Sequence, residues 1–128
     1  MEGYEPVVRG GNIRIANEVV GIIAGLAATE VKGVAGMSGG VVDGISELLK
    51  KKNLAKGVKV EVGERQAAVD LYVILEYGAK VPEVAYKIQE NVKRAIESMT
   101  GLEVVEVNVH IQGVEIKSEE TAEEARVR

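Results

Sequence analysis

The sequence predicts an α+β fold, a single two-layer domain in which helices cover a small mixed sheet. Three observations carry this. Val69 to Tyr77 alternates apolar and polar residues, Val105 to Gln112 does the same, and between them Val81 to Met99 repeats apolar residues at spacings of three and four. Period two with one apolar side marks a half-buried strand, and the longer period marks an amphipathic helix. Two strands joined by such a helix lie parallel in one sheet, with a right-handed crossover.

Residues 1–11 form a leader that closes at Gly10-Gly11. Ile13 and Ile15, flanking Arg14, predict a brief strand. Asn17 has the side chain of an N-cap and opens a helix over about 17–30. Val19, Ile22, Ile23 and Leu26 make its apolar stripe. Its other side is small, with Gly21, Gly25 and Ala28. A helix that is apolar or small all round is usually buried, and the glycine spacing lets another backbone approach closely. Packing inside the domain is the favoured explanation of that small face, and contact with a second subunit is the alternative.

Val31 to Met37 predicts a short strand, and a glycine-rich passage runs on from it. No Gly-Lys-Ser/Thr follows, so it is not a Walker phosphate loop. Gly36-Met37-Ser38-Gly39 has the GXXG spacing of a KH backbone clamp. No cation stands between those glycines, however, and a turn leading into a helix is favoured. That helix, about Val41 to Lys52, ends in Lys50-Lys51-Lys52. The cluster either meets anionic lipid, nucleic acid or an acidic protein, or complements the helix dipole in solvent. The solvated end is favoured.

Val58, Val60 and Val62 alternate with Lys59 and Glu61, and Gly63-Glu64-Arg65 turns the chain back, so about 57–77 predicts an antiparallel hairpin. Its second strand sets Val69, Leu71, Val73, Leu75 and Tyr77 against Asp70, Tyr72, Ile74 and Glu76. The following helix covers about 82–100, with Pro82 in its first turn and Gly101 as its stop. Val81, Ala85, Ile88, Val92, Ala95 and Met99 form its apolar stripe; Glu83 with Lys87 and Glu90 with Arg94 are i,i+4 pairs on the other side. A parallel strand over about 103–112 sets Val105, Val107, Val109 and Ile111 against Glu106, Asn108, His110 and Gln112, and runs on past a bulge at Gly113. Residues 1–117 make the domain, and 118–128 an acidic, flexible tail.

An apolar share of 46% supplies a core, and the lack of cysteine removes disulfides and thiolate metal sites. A net charge of −4 argues against a strongly basic nucleic-acid binder, and four tyrosines with no Phe or Trp leave little for base stacking. Met1-Glu2 lacks the basic start of a signal peptide. Val19 to Thr29, the longest uncharged apolar run, falls short of the roughly 20 residues of a membrane span.

The chemistry-bearing residues are few. No nucleophile elbow, dinucleotide fingerprint, zinc-ligand spacing or EF-hand loop is present. His110, with Asp70 and Glu61 projecting from the same face, is a candidate metal or acid–base group, but a sheet face open to water is expected to look like this and is favoured. No catalytic, cofactor-binding or metal residue is therefore assigned, and no enzyme is expected. Tyr72 and Ile74 are larger and more apolar than a solvated face requires, so a helix or a partner covers them. The candidate interaction surfaces are thus Lys50, Lys51 and Lys52; Gly21, Gly25 and Ala28; and Tyr72, Ile74 and His110.

The runs VDLYVILEYG, VPEVAYKIQENVKRAIESMTG and LEVVEVNVHIQGV closely resemble the alkaline shock protein family, small envelope stress response proteins of Gram-positive bacteria. GNIRIANEVVGIIAGLAATEVKGVAGM and KGVKVEV agree, and the resemblance spans Val7 to Ile116. It implies a small cytoplasmic α+β protein, free or held peripherally at the inner face of the membrane, without enzymatic activity or cofactor. Such a protein serves cell-envelope homeostasis as a self-associating scaffold or partner-binding module. The implied partners are proteins: further copies of the chain, a membrane anchor protein, or acetyl-CoA carboxylase subunits. Contact with the carboxylase would make the chain a regulator of fatty acid synthesis. A KH-like nucleic-acid binder is the remaining alternative. No family-wide catalytic motif carries over.

Overall fold

A computed structural model describes residues 11–39 and 56–116. They form α1 (Asn17–Thr29), β1 (Val34–Met37), β2 (Val58–Val62), β3 (Gln66–Glu76), α2 (Val81–Thr100) and β4 (Glu103–Glu115). β3 is the axis of a four-stranded mixed sheet. β4 runs parallel along one side of it, from Gln66 opposite Glu103 to Glu76 opposite Glu115. Two short strands share the other side, both antiparallel: β2 opposite Ala67 to Leu71, and β1 opposite Val73 to Leu75. The helices cover one face. The predicted α+β class, hairpin and parallel crossover are all present. Residues 1–10 of the leader, the helix over 41–52 with Lys50, Lys51 and Lys52, and the tail over 118–128 lie outside the described residues, as does the domain limit at 117.

Alternation along β3 decides which face is covered. Ala67, Val69, Leu71, Val73 and Leu75 are buried, while Asp70, Tyr72, Ile74 and Glu76 turn to the other face and stay half-exposed. Against the buried set α2 packs Val84, Ile88, Val92 and Ile96. Burying each such side chain contributes about 1.5–3 kcal/mol. This ridge is a strict i,i+4 row, so the stripe differs from the predicted one: Val81 and Met99 lie on the exposed side, Met99 at 70%. Gly101 ends α2 in the left-handed conformation, φ 80°, and Asn91 of α2 donates from Nδ2 to Ala27 O of α1 at 2.8 Å.

α1 is rotated relative to expectation. Val20, Gly21, Ile23, Ala24, Gly25, Ala27 and Ala28 are buried, whereas Val19 and Leu26 stand exposed. Its small side faces inward because α1 packs against both α2 and the sheet, and small residues let helix and neighbours come close. Asn17 is the first helical residue rather than the cap, a place taken by Ala16; its Nδ2 donates instead to Val60 O at 3.4 Å. Residues 11–16 form no strand. A strand at Ile13–Ile15 needs a neighbour, and both sides of β3 are taken while α1 lies beside β2.

Two bulges set the register of β4. One falls between Val104 and Glu106 and the other between Ile111 and Gly113, beside the predicted bulge. The first turns Val104 inward opposite Ala67 and leaves Val105 exposed, reversing the expected start of the strand. Tyr77, expected on the buried side, lies past the end of β3 and is 74% exposed.

Candidate functional site

The face of the sheet away from the helices gathers residues from three strands. Register places Asp70 between Lys59 of β2 and Asn108 of β4, Tyr72 beside His110, and Ile74 between Gly36 of β1 and Gly113 of β4. The His110 ring lies on the Tyr72 ring with centroids 4.4 Å apart and planes at 10°. Its Nε2 is 3.1 Å from Asp70 Oδ1. An ionised carboxylate only accepts, so Nε2 carries the proton of that bond. Lys59 Nζ sits 5.6 Å from the Tyr72 centroid, at the outer limit of a cation–π contact. Asn108 Nδ2 donates to Glu106 Oε2 at 3.1 Å.

The hydrogen bond from His110 holds the Asp70 carboxyl below its usual range, with the amide of Asn108 and the charge of Lys59 acting in the same direction. Glu61 does not join this group, since it lies opposite Ala68. His110 thus meets one carboxylate where the sequence suggested two. Among the described residues no set of three or more His, Cys, Asp and Glu side chains could hold a metal ion.

Tyr72 also marks the junction of the divided side of the sheet. Its N–H donates to Gly57 O and its carbonyl accepts from Ser38 N–H, both at 2.8 Å. Gly57 has φ +86°, and a Cβ there would stand 2.8 Å from Ser38 O and 3.0 Å from Met37 Cβ. That junction bears on the GXXG segment. Gly36 and Met37 are paired in β1, and the Ser38 N–H is already bonded. Its first half therefore lies in the strand predicted to end at Met37, and the Ser38 amide is not free to clamp a nucleic-acid backbone.

Ile74 has glycines on both sides. A Cβ at Gly36 would meet nothing within 4 Å, and one at Gly113 would touch Ile74 Cδ1 at 3.3 Å. The result is an apolar point on a polar face. No described helix covers it, nor Tyr72 and His110 beside it. The other predicted surfaces are not brought here: Gly21, Gly25 and Ala28 are buried inside the domain, so they offer no free surface. The glycines flanking Ile74 escaped the sequence argument because only register places them there.

Residues 7–116 match the model of the alkaline shock protein 23 family, described as having a cell envelope-related function. The chain is 41% identical over 105 residues to the uncharacterized protein YqhY of Bacillus subtilis, covering 82% of this chain and 78% of that protein. It is 40% identical over 108 residues to the uncharacterized protein YloU of the same organism, covering 83% and 90%. A Streptococcus pyogenes protein named stress response regulator gls24 homolog is 36% identical over 118 residues, covering 91% of this chain and 65% of its own length.

Proposed function

This chain belongs to the alkaline shock protein family, of cell envelope-related function, and from that premise we propose that it is a non-enzymatic envelope stress response protein that acts as a self-associating scaffold or partner-binding module. The observation that carries this is the open sheet face, where Tyr72, Ile74 and His110 stand half-exposed with no described helix over them. Large side chains uncovered on an ordered sheet suit a protein contact better than a reaction, because they meet one carboxylate and no metal-ligand set. The name regulator on the Streptococcus pyogenes relative supports a role in the stress response. Among the described residues no helix is long and apolar enough to cross a membrane. Work in the cytoplasm, with peripheral attachment at the inner membrane face through an anchor protein, fits this reading.

The test is affinity capture of the tagged chain from its native cell, beside Ile74→Lys and Lys50/Lys51/Lys52→Ala variants. Recovery of a membrane anchor protein, lost on Ile74→Lys, or recovery of the chain itself, is the expected result. Recovery of acetyl-CoA carboxylase subunits would redirect the reading to regulation of fatty acid synthesis. Loss in the lysine variant alone would move the contact to that cluster. Wild-type capture of nuclease-sensitive nucleic acid, with no protein partner, would sink the reading.

A further inference from the structure

Helix side chains cap parts of the sheet's outer edges. Along β4, Val104 N–H donates to Glu97 Oε2 at 2.9 Å, Lys93 Nζ donates to Val104 O at 3.3 Å, and Gln89 Nε2 donates to Val107 O at 3.0 Å. On β2, the outward Val60 O accepts from Asn17. These bonds show which β4 residues turn their backbone away from β3. Glu103 N–H and Glu115 O turn toward it, to Arg65 and Tyr77. By alternation Val109 and Ile111 turn outward, as Val104 and Val107 do. No described residue pairs with that stretch, although an open strand edge readily recruits another strand.

We propose that this stretch, Val109 to Ile111, is a strand-pairing site for β4 of a second copy of the same chain, antiparallel about a two-fold axis at His110. The inference rests on the self-association proposed above and names its surface. The stretch is its own complement. Its two outward residues lie symmetrically about His110, so Val109 of each copy stands opposite Ile111 of the other, N–H to carbonyl in both directions. The bond from Gln89 to Val107 blocks extension at one end, and the bulge between Ile111 and Gly113 ends it at the other. Val109 and Ile111 are only partly buried against the core, and a β-branched pair across the new ladder covers them further. On the open face Asn108 faces Gln112, so no carboxylates oppose each other at the axis. An isologous contact of this kind makes one sheet from two and joins the two Tyr72–His110 faces.

The chain has no cysteine, so single substitutions report the register in the full chain. His110→Cys places the two sulfurs across the axis at a non-hydrogen-bonded pair, whose Cα atoms are about 4.5 Å apart, within disulfide reach. Asn108→Cys does not face itself. Mild oxidation is expected to cross-link His110→Cys at least about tenfold more than Asn108→Cys at equal concentration. Val109→Pro, which removes an outward N–H, and Ile111→Lys, which adds an edge charge, are each expected to weaken self-association in sedimentation by about tenfold or more. Ile111→Lys keeps the test valid if the proline variant misfolds. A wild-type chain that associates while His110→Cys links no better than Asn108→Cys overturns this site and leaves the scaffold reading standing. A chain that stays monomeric at every concentration overturns the site and the self-association together.

Discussion

His110 lies flat on Tyr72, ring planes 10° apart, while its Nε2 bonds to Asp70 across the same strand pair. The parallel register puts Tyr72 and His110 side by side, and the alternation of both strands turns them to one face. Stacked aromatic pairs are worth about 0.5–1.5 kcal/mol beyond their burial, and a half-exposed pair belongs at the lower end. A double-mutant cycle with Tyr72→Ala and His110→Ala in urea denaturation should show that coupling. Additivity within about 0.3 kcal/mol would mean that the stack contributes nothing.

The acid side of the stability profile should respond to Asp70. Its folded-state carboxyl is held below the usual range, first by the hydrogen bond from His110. A depressed carboxylate contributes stability above its unfolded value, about 3.9, and loses it as pH falls through the folded one. The stability advantage of wild type over Asp70→Asn should thus be present near neutrality and shrink in acid. Asp70 is more than a third exposed, which keeps the effect small. Denaturation midpoints of the two proteins across that range check it; a constant difference would contradict it.

Glu97 is held below the usual glutamate range chiefly by the Val104 N–H it accepts, then by Lys93 at 2.9 Å. Glu97→Ala leaves a partly buried donor unpaired and should cost about 1–2 kcal/mol in chemical denaturation. Glu97→Gln retains an acceptor and should cost less. Equal losses would show that charge and not the hydrogen bond matters.

Two glycines near the β1 end should behave oppositely. Gly57→Ala meets backbone at 2.8 Å with a positive φ, so a loss above about 1 kcal/mol is expected. Gly36→Ala meets nothing within 4 Å and has no positive φ, so it should be neutral or stabilise by up to about 1 kcal/mol. Thermal unfolding of the two variants separates them, and similar losses would place the strain elsewhere.

The strand–helix–strand unit, the hairpin before it and the inward face of β3 follow from local pattern alone. Alternation from Val69 to Leu75 is a local pattern, and a strand with a two-residue period has only two faces to choose between. Tyr72, Ile74 and His110 were legible as a shared outward set for the same reason. The rotation of α1 came from packing: its apolar stripe is backed by a small side and not a polar one, so either side can turn inward, and contact with α2 and the sheet made the choice. Only the tertiary structure decided that Val104 rather than Val105 turns inward, since a bulge is a property of two paired strands. The flanking of Ile74 by Gly36 and Gly113, the place of Lys59 rather than Glu61 beside Asp70, and the capping of the β4 edge by Gln89, Lys93 and Glu97 all depend on register between segments far apart in the chain, which no local periodicity encodes.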